Sequence, residues 1–265
     1  MKGKTPMELP IYQVDAFASR VFTGNPAAVV PLERWLDDAT LQGIALENNL
    51  SETAFLVKED VGWRIRWFTP VCEVDLCGHA TLASGHVVFA HLEPTRSEVT
   101  FASRSGPLTV TRDGELLRLD FPSRPPEPYE APQGLIDALG RAPRGAWKAR
   151  DVLCLYDSEV EVRALAPDFG RMRTFDAFAV MATANGSGCD FVSRFFAPRS
   201  GIDEDPVTGS AHCTLVPFWA RRLGKPRLHA LQVSARGGEL FCEDRGARVW
   251  IAGRAVEYLQ GTITV

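Results

Sequence analysis

Three short stretches hold the residues that could do chemistry. The first is Glu47, in the last turn of a helix that the pattern places over residues 38–48. A carboxylate is disfavoured there, because the C-terminal end of a helix is partially negative and basic side chains suit it better. One reading is a solvated Glu that costs about a few tenths of a kcal/mol. The other is that the dipole, together with burial, raises its pKa toward neutrality, the condition a general acid or base needs.

The second stretch is Cys77-Gly78-His79-Ala80-Thr81, a junction from loop to helix. Gly78 permits close approach of a ligand to the backbone, and the free N–H groups of a helix start attract an anion. His79, on the first turn, either shuttles a proton or caps nearby backbone. The third stretch is Glu204-Asp205-Pro206-Val207-Thr208-Gly209-Ser210-Ala211-His212. Asp205 precedes a proline and is held extended, so its side chain can project across the helix start. Thr208 and Ser210 place hydroxyls beside the free N–H groups at Gly209; simple capping by Asp205 or Thr208 is the alternative.

The elements that must position these residues read as two related halves. Arg66-Trp67-Phe68-Thr69-Pro70 is echoed 128 residues later by Arg194-Phe195-Phe196-Ala197-Pro198. Each copy ends a strand-like alternation and leads through a short acidic loop to a glycine, Gly78 or Gly209, that opens an amphipathic helix. Between the copies, four prolines fall within residues 122–128. They exclude a helix interior or central strand and mark a linker. The halves are then residues 1–120, carrying Glu47 and the Gly78 junction, and 121–265, carrying the Asp205-to-Ser210 junction. Each is strand-rich around one principal helix, an α+β pattern. Asp37 or Asp38 caps the helix over 38–48, Asn48-Asn49 ends it, and 53–57 follows as a strand. The closing segment, 256–265, reads as a strand that could pair in either half. If the halves pack about a pseudo-twofold axis, both helix starts can face one cleft and grip a carboxylate.

Composition narrows the class. The chain has 265 residues, 45% hydrophobic and 23% charged, with net charge −4. That suits a soluble globular protein and argues against nucleic acid or an anionic membrane as partner. Residues 1–10 contain no apolar run, and no stretch is long enough to span a bilayer, so a cytoplasmic location is expected. The six cysteines are scattered and expected to be reduced; Cys72 and Cys77 are a close pair without a second pair, so no metal site is expected. Gly24-Asn25-Pro26 reads as a turn, His212 as a supporting residue at most, and neither Ser51 nor Ser210 sits in a hydrolase-type setting.

Taken together, the Glu47-to-Thr53, Cys77-to-Thr81 and Asp205-to-His212 motifs resemble the phenazine-biosynthesis PhzF-like isomerase family, as do Val14-Asp15-Ala16-Phe17 and the stretch from Phe22 to Val29. The resemblance covers nearly the whole chain. It implies a diaminopimelate-epimerase-like fold: two similar halves, each a β-barrel-like sheet around a central helix, with the active site between them. It also implies a homodimer, no cofactor, and a small carboxylate substrate. By the resemblance, Glu47 moves a proton while His79, Asp205 and Ser210 bind and relay; Cys77, Gly78, Thr208 and Gly209, at the two helix starts, are expected from the sequence reading above to frame the substrate.

Two rivals stay open. An amino- or hydroxy-acid epimerase would use Glu47 with Cys77. Related cofactor-independent racemases place a cysteine before each helix-opening glycine; here the second position is Thr208, whose hydroxyl is far less acidic than a thiol of pKa about 8.5. Cys77 is then a packing residue, or a thiol sensitised by the helix start. The other rival is a catalytically idle ligand-binding protein.

Overall fold

The computed structural model of the protein describes residues 6–60 and 62–265. The expectation that residues 1–10 carry no export signal falls partly on 1–5, outside the described residues. The chain divides into two compact units, Met1–Leu119 with Gly253–Val265, and Asp120–Ala252.

In the first unit, the helix Asp38–Asn48 starts at Asp37, whose carboxylate accepts from the Thr40 N–H. It stops because Asn49 turns left-handed (φ 49°) and returns its N–H to the Ala45 carbonyl. Leu41, Ile44 and Ala45 face inward. Strand Glu52–Lys58 follows, parallel to Asn25–Leu32 and antiparallel to Trp63–Phe68. Trp63–Phe68 pairs antiparallel with Glu73–Val74 and parallel with Glu98–Ser103. The final strand, Ala255–Thr264, pairs antiparallel with Glu8–Ala16, which places the closing segment in the first unit.

Helix Gly78–Val87 runs through the middle of this unit, with every position except His86 buried. Its small residues make that possible: a Cβ added at Gly85 would lie 2.6 Å from Val110 Cγ1. The two hydroxyls it buries are satisfied within the helix, Thr81 donating to the Cys77 carbonyl and Ser84 to that of Ala80. A helix buried on all sides cannot show a strong amphipathic stripe. It continues into a π-helical turn, Val88–Leu92.

The second unit repeats the plan. Strand Val180–Asn185 runs parallel to Val152–Leu155 and antiparallel to Phe191–Ala197. Phe191–Ala197 pairs antiparallel with Ile202–Asp205 and parallel with Arg227–Gln232. Its helix, Gly209–Leu223, buries Trp219, which stacks on Phe191 and donates to the Thr183 hydroxyl. The repeat seen in the sequence has a side-chain counterpart. Arg66 forks onto Glu73, and Arg194 forks onto Glu204, each through Nε and Nη2 at 2.7 and 2.8 Å. Each fork ties the central strand to the short strand or loop that precedes a helix-opening glycine, a bidentate contact with fixed geometry.

The proline-rich segment is less of a free linker than expected. Its first proline closes strand Leu116–Pro122, and Glu127–Tyr129 pairs with Gly145–Lys148. Proline fits there because strand ends and edges do not require its missing N–H. Among the described residues, no helix is long and apolar enough to cross a membrane.

Candidate active site

In the first unit the chain brings together Glu52, Cys77 and His79. Glu52 opens its strand immediately after the reversal at Asn49, Cys77 is the N-cap of the central helix, and His79 lies on that helix's first turn. Because Glu52–Lys58 runs parallel to Asn25–Leu32, Asn25 and Glu52 arrive at the same end of the sheet, opposite the helix start. His79 Nε2 is 3.1 Å from Glu52 Oε2, with the two side chains 6% and 12% exposed. This is an ion-pair distance, but Oε2 makes no well-aligned hydrogen bond and is fully buried. On the other edge of the ring, Nδ1 lies 3.2 Å from Asn25 Nδ2 and 3.5 Å from Cys77 Sγ. With the Asn25 amide donating to Nδ1, the neutral ring carries its proton on Nε2, aimed at Glu52.

The electrostatics follow from burial in a small charged cluster. Burial works against charging His79, but the facing Cys77 sulfur and Glu52 carboxylate outweigh it and hold its pKa well above the ordinary value. Burial first, then the Glu52 charge, push the Cys77 thiol up to about 11. The thiol is therefore neutral near pH 7, and the carboxylate supplies the pull on His79 there. The helix start does not sensitise Cys77, because desolvation exceeds what the helix N-terminus returns.

Two predictions arise here. At pH 8, Cys77 is expected to alkylate roughly a hundredfold more slowly than an ordinary thiol, since two units of pKa remove about that much thiolate. Mass spectrometry of the native protein treated with iodoacetamide checks this; labelling of Cys77 at the rate of exposed Cys72 contradicts it. The second concerns stability. A histidine whose folded-state pKa is raised stabilises the fold fully below its unfolded pKa, about 6.5. That contribution is lost as pH rises through the folded-state value. Urea unfolding of the parent and His79→Gln should show a parental advantage at about pH 5.5 that shrinks above neutrality; an advantage growing with pH contradicts the Glu52–His79 pairing.

Glu47 lies elsewhere in the same unit. It is exposed, which matches the solvated one of the two readings the sequence left open. Its helix face, residues 40–48, and residues 263–265 border a groove of about 520 Å³.

The second unit holds the other expected residues. Asp205 ends strand Ile202–Asp205, and its carboxylate accepts a hydrogen bond from the Thr208 hydroxyl. Thr208 is the N-cap of helix Gly209–Leu223 but makes no side-chain cap; its N–H goes to the buried Gln232 Oε1 at 2.9 Å. Gln232 Nε2 donates to the Asp205 carbonyl at 2.8 Å and to Thr208 Oγ1 at 3.2 Å. One amide therefore fixes both ends of the Asp205-to-Thr208 turn. Ser210, half-buried on the first turn, accepts from Arg150 Nη2 at 3.3 Å. Arg150 is braced by a bidentate pair to the buried Asp151 and lies over the Phe178 ring. His212 is fully buried; its Nδ1–H donates to the Thr208 carbonyl, and burial lowers its pKa to about 4, so it stays neutral and structural.

Sequence reasoning missed Asn25, Glu52, Arg150 and Gln232 as parts of these sites. Asn25 was set aside as a turn residue, yet it starts a strand and faces His79. Glu52 had a signal: a carboxylate heading an otherwise apolar strand, Thr53-Ala54-Phe55-Leu56-Val57. Arg150 and Gln232 meet their partners across 60 and 24 residues of chain and had none.

A family model for phenazine biosynthesis-like proteins matches residues 14–261. The chain belongs to the phenazine biosynthesis-like family. An uncharacterized isomerase of Pseudomonas aeruginosa is 54% identical over 257 residues, covering 97% of this chain and 99% of the relative. The crystal structure of a PhzF-family phenazine biosynthesis protein from Enterococcus faecalis superposes with a TM-score of 0.96 at 47% identity, covering 98% of this chain and all of that one. A hydroxyproline epimerase of Agrobacterium vitis, at 13% identity, shares the fold with a TM-score of 0.63 over 97% of this chain and 93% of its own. The fold is the α+β, epimerase-like one that the family's resemblance implied, and the protein is an isomerase of this family.

Proposed function

We propose that this isomerase moves a proton on a small carboxylated substrate, with Glu52 as the acid/base and His79 as its partner. The observation that carries the reading is the buried Glu52 oxygen, without a well-aligned hydrogen bond, 3.1 Å from His79 Nε2. A carboxylate takes up a proton and returns it at another carbon, while the imidazole holds or relays the proton between transfers. This chemistry calls on no cofactor. Ser210, Arg150 and the N–H groups of the Gly209 helix start offer the substrate carboxylate a cation, a hydroxyl and backbone donors. Asp205 orders the turn that presents them, and Gly78 leaves backbone open beside His79. A substrate that meets both helix starts at once, as the sequence repeat implied, is part of the proposal. So are the homodimer and the cytoplasmic location, which sedimentation and cell fractionation test.

Glu47 is the second reading for the acid/base, favoured by its place on the groove beside residues 263–265. The epimerase reading with Cys77 as a base is weakened by the thiol's pKa of about 11 and by Thr208, whose hydroxyl is spent on Asp205.

The proposal is tested by incubating the enzyme with unsaturated and α-substituted small carboxylates in heavy water. Deuterium entering at carbon with a shifted double bond supports it. Deuterium with inverted configuration and no shift selects the epimerase, and binding without exchange selects the idle ligand-binding protein.

A further inference from the structure

Asp151 is an acid that the proton transfer does not use. It is 1% exposed. Its carboxylate accepts both hydrogen bonds from one edge of its neighbour Arg150, Nε to Oδ1 at 2.9 Å and Nη2 to Oδ2 at 2.7 Å. We propose that Asp151 is a positioning residue: it sets Arg150 so that the outer edge of the guanidinium, beside Ser210, receives the substrate carboxylate, with Phe178 as a second brace. The proposal rests on the reading of Arg150 and Ser210 as partners of that carboxylate.

The local fold brings these side chains together within the second unit. Strands Gly145–Lys148 and Val152–Leu155 are antiparallel, and residues 149–151 make the turn between them, with the Ala149 N–H on the Asp151 carbonyl at 3.1 Å. Val152–Leu155 runs parallel to Val180–Asn185 with Val152 opposite Val180, and the Val152 N–H donates to the Ala179 carbonyl at 3.0 Å. Carried back two residues, that register sets Arg150 beside Phe178. The guanidinium carbon lies 4.5 Å from the centroid of this exposed ring.

A guanidinium carries five N–H donors. Asp151 takes two of them. Among the described residues Nη1 makes no hydrogen bond, and Nη2 reaches Ser210 Oγ at 3.3 Å. The outer edge formed by Nη1 and Nη2 is therefore left for a ligand, and its paired N–H groups match the two oxygens of a carboxylate. Ser210 accepts from Nη2, so its own O–H can donate to the same carboxylate. An arginine that swings freely loses that freedom each time it binds. One pinned along its inner edge and covered on one face has already lost it. The Arg150 side chain is 36% exposed and can meet a ligand. Asp151 is too buried to do so, and its effect passes through Arg150.

The test is a titration of the full chain with benzoate, and with benzamide as its uncharged counterpart. Affinity is read by calorimetry, and contact is read from the arginine Nε–H signals of ¹⁵N-labelled protein; the signal absent from Arg150→Gln is that of Arg150. In the parent, benzoate is expected to shift this signal saturably and benzamide to leave it in place. Asp151→Asn keeps the size of the side chain but cannot accept from both donors, and it should weaken benzoate at least about tenfold. Arg150→Gln should weaken it at least as much. Because Asp151 acts through Arg150, adding Asp151→Asn to Arg150→Gln should change affinity by less than about a further twofold. Phe178→Leu, at an exposed position, should weaken benzoate about threefold. Thermal melts show which variants are folded and so count. Parental affinity in folded Asp151→Asn, or losses that multiply in the double variant, overturns the proposal and leaves Arg150 as the anchor. Should Asp151→Asn not fold, parental affinity in Phe178→Leu overturns it. If the parent does not bind benzoate, or Arg150→Gln binds it as the parent does, the carboxylate reading fails and takes the proposal with it.

Discussion

Replacing Glu52 by Gln is expected to cut turnover by at least about 10²–10⁴-fold, the range for loss of a general acid/base, and by more if one residue makes both transfers. Gln keeps the shape and can still donate to or accept from its neighbours, but it cannot carry the transferred proton. Stability should fall by less than the roughly 3–5 kcal/mol that stranding a buried charge costs. A buried pair broken from one side is costly when it strands a charge. Here His79 can answer by losing its proton, because burial already favours the neutral ring. Substrate affinity should also hold, since Ser210, Arg150 and the helix starts are assigned to the carboxylate. A variant that loses turnover together with its thermal transition would point to a structural role instead, so the melt is read beside the rate.

Gln232→Leu is the second large effect. Its amide satisfies the Thr208 N–H and the Asp205 carbonyl and also reaches Thr208 Oγ1. Leucine fits the volume but leaves a buried donor and acceptor without partners, at a cost of about 1–3 kcal/mol for each group. Urea unfolding should therefore show a loss of roughly 2–6 kcal/mol. Turnover should fall as well, because the Asp205-to-Thr208 turn sets the direction of the Gly209 helix start and of Ser210. Gln232→Glu keeps the acceptor for the Thr208 N–H and loses the donor, so it should fall between parent and Leu in stability. A Leu variant that unfolds within about 0.5 kcal/mol of the parent would show that water or a rearranged turn replaces the amide.

Local signals carried much of the fold. The helix Asp38–Asn48 was readable because an aspartate cap and a left-handed asparagine are both encoded within a few residues. The repeat was readable because Arg66 and Arg194 occupy the same place in two copies of one strand arrangement. The pairing of the closing strand was not, because its partner, Glu8–Ala16, lies at the other end of the sequence. The candidate site divides the same way. His79, Asp205 and Ser210 stand at helix starts, where sequence and structure speak together. Glu47 and Glu52 are five residues apart in one motif, and what separates them is tertiary: the chain reverses at Asn49, leaving Glu47 exposed and carrying Glu52 to the buried end of a strand facing His79. A helix-dipole argument cannot see that reversal, and so it left open whether Glu47 is solvated or buried. Asn25 and Gln232 were hidden for a related reason, since an amide shows its value only when its partners are known.

If Glu52, rather than Glu47, exchanges the proton, solvent deuterium exchange into a turned-over carboxylate separates the two. Followed by mass spectrometry with each protein shown to be folded, exchange should stay within about twofold of the parent for Glu47→Gln and fall at least about a hundredfold for Glu52→Gln. Parental exchange in Glu52→Gln, with the loss falling on Glu47→Gln, would assign the proton transfer to Glu47 instead.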